Sequence, residues 1–230
     1  MSAAREAAPG GAPEAALAVS GLEVAIGASH ILHDVALRVP RGALCGLIGR
    51  NGAGKTTLLR TVMGLIPAHT GTIRCDGVDL RAVPAHRRVH LGIGYMPEDR
   101  RLVPQFTAED NLLLPMWVTG GARAERLPWV YELMPELAAF AGRPDGQLSG
   151  GQQKLLALAR ALLCGSKLVL LDEPTEGLAP ALARRLVEVL ARLKGSGLSV
   201  LMAESNDVLI ADPLDRAFVI ERGSVTATGG

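Results

Sequence analysis

Three short stretches of this chain combine residue types that could do chemistry. The first is Gly49-Arg50-Asn51-Gly52-Ala53-Gly54-Lys55-Thr56-Thr57. Glycines at this spacing let successive backbone N–H groups turn inward and cradle phosphate oxygens. Lys55 would reach the β- and γ-phosphates of a nucleotide, and the Thr56 hydroxyl would bind Mg²⁺. The second is Leu168-Val169-Leu170-Leu171-Asp172-Glu173. An apolar strand there delivers Asp172 to its C-terminal edge, where open α/β sheets bind ligands. Asp172 would hold the Mg²⁺ through water, and Glu173 would polarise an attacking water as general base. Such a pair can also simply start a helix; the phosphate loop upstream favours the catalytic reading. The third is Leu148-Ser149-Gly150-Gly151-Gln152, a turn into an apolar helix. Ser149 offers a hydroxyl and N–H groups at a helix start, which makes a second anion site.

The elements that must hold these residues are visible as alternating patterns. Ala43–Ile48 is an apolar run of the kind buried on both sheet faces, and it feeds the phosphate loop. Thr56–Leu65 has helical spacing, with Pro67 as its stop. Leu17–Val24 and Val35–Val39 read as strands around a turn at Gly27. Asp76-Gly77 marks a hairpin between Thr72–Cys75 and Val78–Leu80. Ile93–Met96, Leu168–Leu171 and Leu198–Ala203 are further strands. Ser149–Leu163 and Pro180–Lys194 are helices, and a hairpin around Arg222-Gly223 closes the chain. The segment from 98 to 147 carries five prolines with short helical patterns between them. It reads as a helical subdomain inserted into an α/β core of residues 17–97 and 148–230. Residues 1–16, rich in Ala, Gly and Pro, read as a disordered leader.

Bulk properties exclude several classes. Lys+Arg numbers 24 against 23 Asp+Glu, so no basic excess suited to nucleic acid exists. Aromatics are 3%, too few for a base-stacking platform. No apolar run reaches the ~20 residues of a membrane span. Cys45, Cys75 and Cys164 show no C-x-x-C spacing; Cys45 and Cys164 sit in apolar stretches and read as reduced core cysteines. His30, His33, His69, His86 and His90 show no ligand spacing and read as surface or loop residues. Arg87-Arg88 and Arg100-Arg101 read as solvated charge. Leu102, Val103, Phe106, Leu112, Leu113, Leu114 and Trp117 read mainly as core of the insert.

The order of the three motifs resembles the nucleotide-binding domain of ABC ATPases, over about Leu17 to Thr228. The resemblance implies a P-loop NTPase of α/β class, with an ABC-type antiparallel β-subdomain and an inserted helical subdomain. It implies ATP and Mg²⁺ as cofactors and ATP hydrolysis as the activity. It also implies that Ser149, Gly150, Gly151 and Gln152 cap the γ-phosphate held by a second ATPase subunit. Gly94-Tyr95-Met96-Pro97-Glu98, Thr107–Leu112 and Thr175-Glu176-Gly177-Leu178-Ala179-Pro180 look like the ATP-binding subunit of branched-chain amino acid and urea importers. That implies permease partners, with part of the helical insert receiving a coupling helix, and a place on the cytoplasmic face of the inner membrane.

Three positions depart from the family pattern. Glu98 stands where most members have Gln, with metal or water contact retained. Ile26 stands where an aromatic residue usually stacks on adenine. Ser205 stands at the switch-histidine position, where it would donate to the γ-phosphate. The last two changes imply modest turnover. They also leave an alternative open: a regulatory module that binds ATP and dimerises but hydrolyses little.

Overall fold

The computed structural model describes residues 15–121, 124–206 and 210–227. An antiparallel sheet is built from β1 (Ala15–Ile26), β2 (Ser29–Pro40), β4 (Thr70–Cys75) and β5 (Val78–Asp79), in the order β2-β1-β4-β5. A second sheet contains β3 (Leu44–Ile48), β6 (Ile93–Met96), β7 (Leu168–Asp172), β8 (Ser199–Glu204), β9 (Arg216–Glu221) and β10 (Ser224–Ala227). Its order is β10-β9-β3-β8-β7-β6. All its pairings are parallel except the closing hairpin of β9 and β10.

The apolar runs follow from burial on both faces of this second sheet. Alternate residues of β7 point opposite ways. Leu168 and Leu170 join the core beneath the antiparallel sheet and α1 (Lys55–Val62). Val169 and Leu171 join the core beneath α4 (Gly150–Cys164) and α5 (Pro180–Arg192). In β8, Leu201 and Ala203 take the first side, Val200 and Met202 the second. Between β6 and β7 lie α2 (Ala108–Val118), α3 (Leu127–Leu133) and several 3₁₀ turns. Leu112, Val130, Leu133, Met134 and Phe140 of that segment pack into the same core as α4.

Several elements differ from the sequence reading. Ala15 and Ala16 are part of β1, Ala15 facing Pro40, so this end of the expected leader is strand; residues 1–14 lie outside the described residues. The helix after the phosphate loop ends at Val62, short of Leu65. Gly64 stops it before Pro67 can, at φ +73, with Leu65 N–H bonded back to Arg60 O at 2.9 Å. α2 runs through Pro115, capped at Thr107 by a reciprocal box with Asp110. Trp117 and Val118 at its end are 56% and 66% exposed, so Trp117 is not core.

Two expected solvated arginines are structural. Arg88 is 5% exposed and its guanidinium donates to the carbonyls of Leu80, Val62, Thr61 and Val83. Two of those acceptors are final carbonyls of α1, where a cation also meets the negative end of the helix dipole. Arg100 bonds Gln153 Oε1 in α4 at 2.5 Å. His30 is exposed and His33 half-buried on the β1–β2 hairpin, where they meet each other and Glu23. Cys45 and Cys75 are buried with free thiols, pushed up to about 11 by that burial. Cys164 is partly exposed rather than fully core.

Candidate ATP site

β3 ends at Ile48, and the chain then loops through Gly49–Gly54 into α1. The loop is held at both ends by main-chain bonds. Gly49 N–H donates to Glu204 O at 3.1 Å, and Gly223 N–H donates to Ala53 O at 3.0 Å. Gly49 must lack a side chain, because a Cβ there would lie 2.3 Å from Ile220 O. Gly54 caps α1 without a side-chain bond, which leaves the first N–H groups of the helix for an anion.

The loop opens onto a cavity of about 470 Å³ lined by Ile31, Asn51, Gly52, Gly54, Lys55, Thr56, Thr57, Glu98, Glu173 and Glu176. Gly49, Arg50 and Ala53 line the adjoining cavity on the β9–β10 side. Thr56 Oγ1 donates to Asp172 Oδ1 at 3.0 Å, and Tyr95 OH donates to Asp172 Oδ2 at 3.3 Å. Asp172 is fully buried, and that burial pushes its carboxyl up to about 6, with the charges of Glu98 and Glu173 adding to the shift. Glu98 is exposed at the cavity edge.

Lys55 is 4% exposed and its ammonium folds back over the loop. It donates to Gly49 O at 2.5 Å, Arg50 O at 3.2 Å and Ser205 Oγ at 3.1 Å. Its ion pair with Glu173 Oε1 is 2.9 Å long. Ser205 holds both oxygens of the same carboxylate: its hydroxyl lies 2.7 Å from Oε1 and its N–H donates to Oε2 at 3.1 Å. The hydroxyl also lies 2.5 Å from Asn51 Oδ1, so one proton serves two acceptors. Burial pushes the Glu173 carboxyl up, but the bonds from Ser205 and Lys55 outweigh it and hold it below its ordinary value. Neighbouring Glu204 is pushed the other way by burial, while its Oε1 accepts from Thr175 N and Oγ1 at 2.9 and 2.7 Å.

A family profile described as "ABC transporter" matches residues 32–176. This chain belongs to the ABC transporter family. Among curated relatives, BraG of Pseudomonas aeruginosa, a high-affinity branched-chain amino acid transport ATP-binding protein, is 38% identical over 86% of each chain. LptB of Escherichia coli, a lipopolysaccharide export ATP-binding protein, is 34% identical over 94% of this chain and 90% of its own. A solved ATP-binding cassette of an ABC transporter in its ADP conformation superposes with a TM-score of 0.79 at 25% identity. It covers 94% of this chain and 91% of its own. The chain is therefore an ABC transporter ATP-binding subunit and an ATPase, and the cavity beside Lys55 is the candidate for its nucleotide site.

Not every expected residue of this ABC ATPase reaches that cavity. Ile26 is 50% exposed at the hairpin end of β1 and does not line it; Ile31 on β2 does. Ser149, Gly150, Gly151 and Gln152, expected at a second subunit's phosphate rather than here, lie away from it at the start of α4, where Ser149 and Gly150 are exposed. Ser205 sits at Glu173 and Asn51, where its hydroxyl is shared between their side-chain oxygens. Four residues with roles here were missed: Tyr95, Lys154, Glu176 and Glu204. Lys154 carried a signal, being a charge set directly before the apolar run Leu155–Ala159.

Proposed function

We propose that this ATPase subunit closes head to tail on a second ABC ATPase subunit, identical or related. Ser149–Gln152 of each would cap the γ-phosphate held by Gly49–Thr57 of the other. The pair would sit on permease subunits at the cytoplasmic face of the inner membrane and power uptake of branched-chain amino acids, or of a related small polar solute such as urea. No helix among the described residues is long and apolar enough to cross a membrane. Trp117 and Val118 supply an exposed apolar surface of the kind that marks a docking site.

Hydrolysis is supported by one arrangement: a buried lysine, a serine and a glutamate meeting at one carboxylate oxygen. The phosphates of ATP offer Lys55 better acceptors than its own loop carbonyls and Glu173. As Lys55 turns to them, Glu173 loses one of the contacts that hold its basicity down. It then accepts a proton from water more readily. Ser205 keeps the carboxylate aimed. The donor set fits magnesium, since Thr56 Oγ1 and Asp172 Oδ1 are hard oxygens 3.0 Å apart at the cavity. Held by Thr56 and Asp172, with Glu98 at the edge, Mg²⁺ would draw charge from the β- and γ-phosphate oxygens.

The likeness to BraG carries the choice of solute, together with Glu176-Gly177-Leu178. The likeness to LptB favours a second reading, in which the same machine drives lipid export. Glu173→Gln separates them. Cells carrying only this variant should lose uptake of radiolabelled leucine. Unchanged leucine uptake with lipopolysaccharide retained at the inner membrane would favour export instead. The purified variant should bind ATP, hydrolyse none of it and elute as a dimer; a monomer in ATP sinks the head-to-tail reading.

A further inference from the structure

His30 and His33 stand three residues apart on β2. In a regular strand that spacing sends side chains to opposite faces. The pairing of β1 with β2 slips between Leu22 and Val24 and again between Val24 and Ala25. Such irregularities re-aim side chains, and here the two imidazoles converge. Their rings lie edge to face with centroids 4.8 Å apart, and their Nδ1 atoms are 3.0 Å apart. Glu23 on β1 adds a carboxylate, its Oε2 lying 3.1 Å from His30 Nε2. One potential ligand atom from each of the three residues lies within 4.8 Å of the others.

We propose that Glu23, His30 and His33 form a binding site for a divalent transition-metal ion of the zinc class. Two Nδ1 atoms at this separation set lone pair against lone pair unless one of them carries a hydrogen and donates it to the other, or a metal ion takes both. Two imidazoles and one carboxylate, with water in the fourth position, are a donor set that zinc takes. Magnesium and calcium prefer oxygen alone. Zinc–nitrogen bonds of ~2.0–2.1 Å in a tetrahedron put neighbouring ligand atoms ~3.4 Å apart, so the imidazoles need open by only a few tenths of an ångström. Glu23 must swing toward them. Its side chain is 30% exposed and that of His30 is 48% exposed, so packing does not resist the adjustment.

The site would pin one end of the hairpin to a firm neighbour. His33 N–H donates to Gly223 O at 2.9 Å, which ties β2 to the β9–β10 turn, and Asp34 N–H donates to Glu23 Oε1 at 3.2 Å. Ile31, between the two histidines, lines the nucleotide cavity, and Ile26 lies at the hairpin turn where it faces Ser29. An ion here therefore stiffens the apolar wall of the ATP site without touching the phosphate groups. The site is independent of which solute is carried.

Isothermal titration of zinc chloride into the full chain, without nucleotide and in a non-chelating buffer, tests this directly. One ion per chain is expected. His30→Ala and Glu23→Gln should each weaken binding at least tenfold while circular dichroism stays unchanged. Magnesium chloride should give no saturable heat. Absence of saturable zinc binding would overturn the proposal. So would unchanged affinity in a folded His30→Ala/Glu23→Gln double variant, or sulfur ligation in zinc X-ray absorption spectra.

Discussion

Lys154 Nζ donates to the main-chain carbonyl of Glu173 at 2.7 Å, joining the helix that begins at Ser149 to the loop that carries the candidate general base. The same ammonium bonds Glu176 O and is 6% exposed. Glu173 needs the support, because its φ of +48 lies in the left-handed region that glycine favours. Such a conformation costs on the order of 1–3 kcal/mol and persists only where neighbours impose it.

Replacing Lys154 should release that loop. Lys154→Met keeps the length of the side chain but leaves two carbonyls without their ammonium, at a cost of about 1–3 kcal/mol. We expect kcat to fall roughly tenfold or more, in line with that energy, while the KM for ATP stays nearly unchanged. Steady-state phosphate release measures both. Equal losses in kcat and in ATP affinity would mean that Lys154 serves the nucleotide site as a whole.

Ser205→Ala keeps the N–H bond to Glu173 Oε2 and removes the hydroxyl from Oε1. One hydrogen bond to a charged group is worth about 1.5–3 kcal/mol, so turnover should drop by roughly ten- to a hundredfold with ATP still bound. Ser205→His should raise turnover by offering a longer, chargeable donor. An unchanged rate would show that another group fills the role expected at the γ-phosphate.

Arg185 of α5 grips Glu136 of the helical segment with two parallel bonds, of 2.8 and 3.0 Å. Burial pushes the Glu136 carboxyl up, but the bonds and charge of Arg185 prevail and hold it below its ordinary value. A depressed carboxylate contributes stability above its unfolded pKa and loses it as the pH falls through its folded one. Both side chains are partly exposed, so Glu136→Gln should cost only about 1 kcal/mol at neutral pH. The gap between wild type and variant should close in acid below the carboxylate range, as read from urea midpoints. A gap that persists there would mean that shape rather than charge matters.

Gly94→Ala should be severe for a different reason. A Cβ there would lie 2.0 Å from Ala161 O and 2.8 Å from Gly165 N, both backbone atoms around the end of α4. β6 and α4 would have to separate. We expect a loss of about 3 kcal/mol in unfolding free energy, and a midpoint within experimental error of wild type would show that the helix shifts freely.

The strands of the parallel sheet were legible because burial on both faces leaves an apolar run in β3, β7 and β8, with polar residues only at the ends of β7 and β8. The phosphate loop, Asp172 and Glu173 were legible because their chemistry demands particular side chains at particular spacings. Arg88, Arg100 and Lys154 were not, for a shared reason. Their partners include main-chain carbonyls of Val62, Gly150 and Glu173, and a carbonyl has no residue identity for a pattern to reveal. His30 and His33 were hidden by the irregular β1–β2 pairing, which defeats the two-residue period of a strand.

At the start of α4, Ser149 Oγ accepts from Gln152 N at 3.2 Å while Gln152 Oε1 accepts from Ser149 N at 2.9 Å. The pair locks the turn within a single chain. A surface that must order itself on encounter adds its own loss of freedom to the translational and rotational cost of association, about 4–15 kcal/mol. This one has already given up that freedom during folding. Two such chains would therefore meet at a rate governed by diffusion and orientation rather than by loop rearrangement. Nucleotide lifetime between them, more than recognition, would time each cycle.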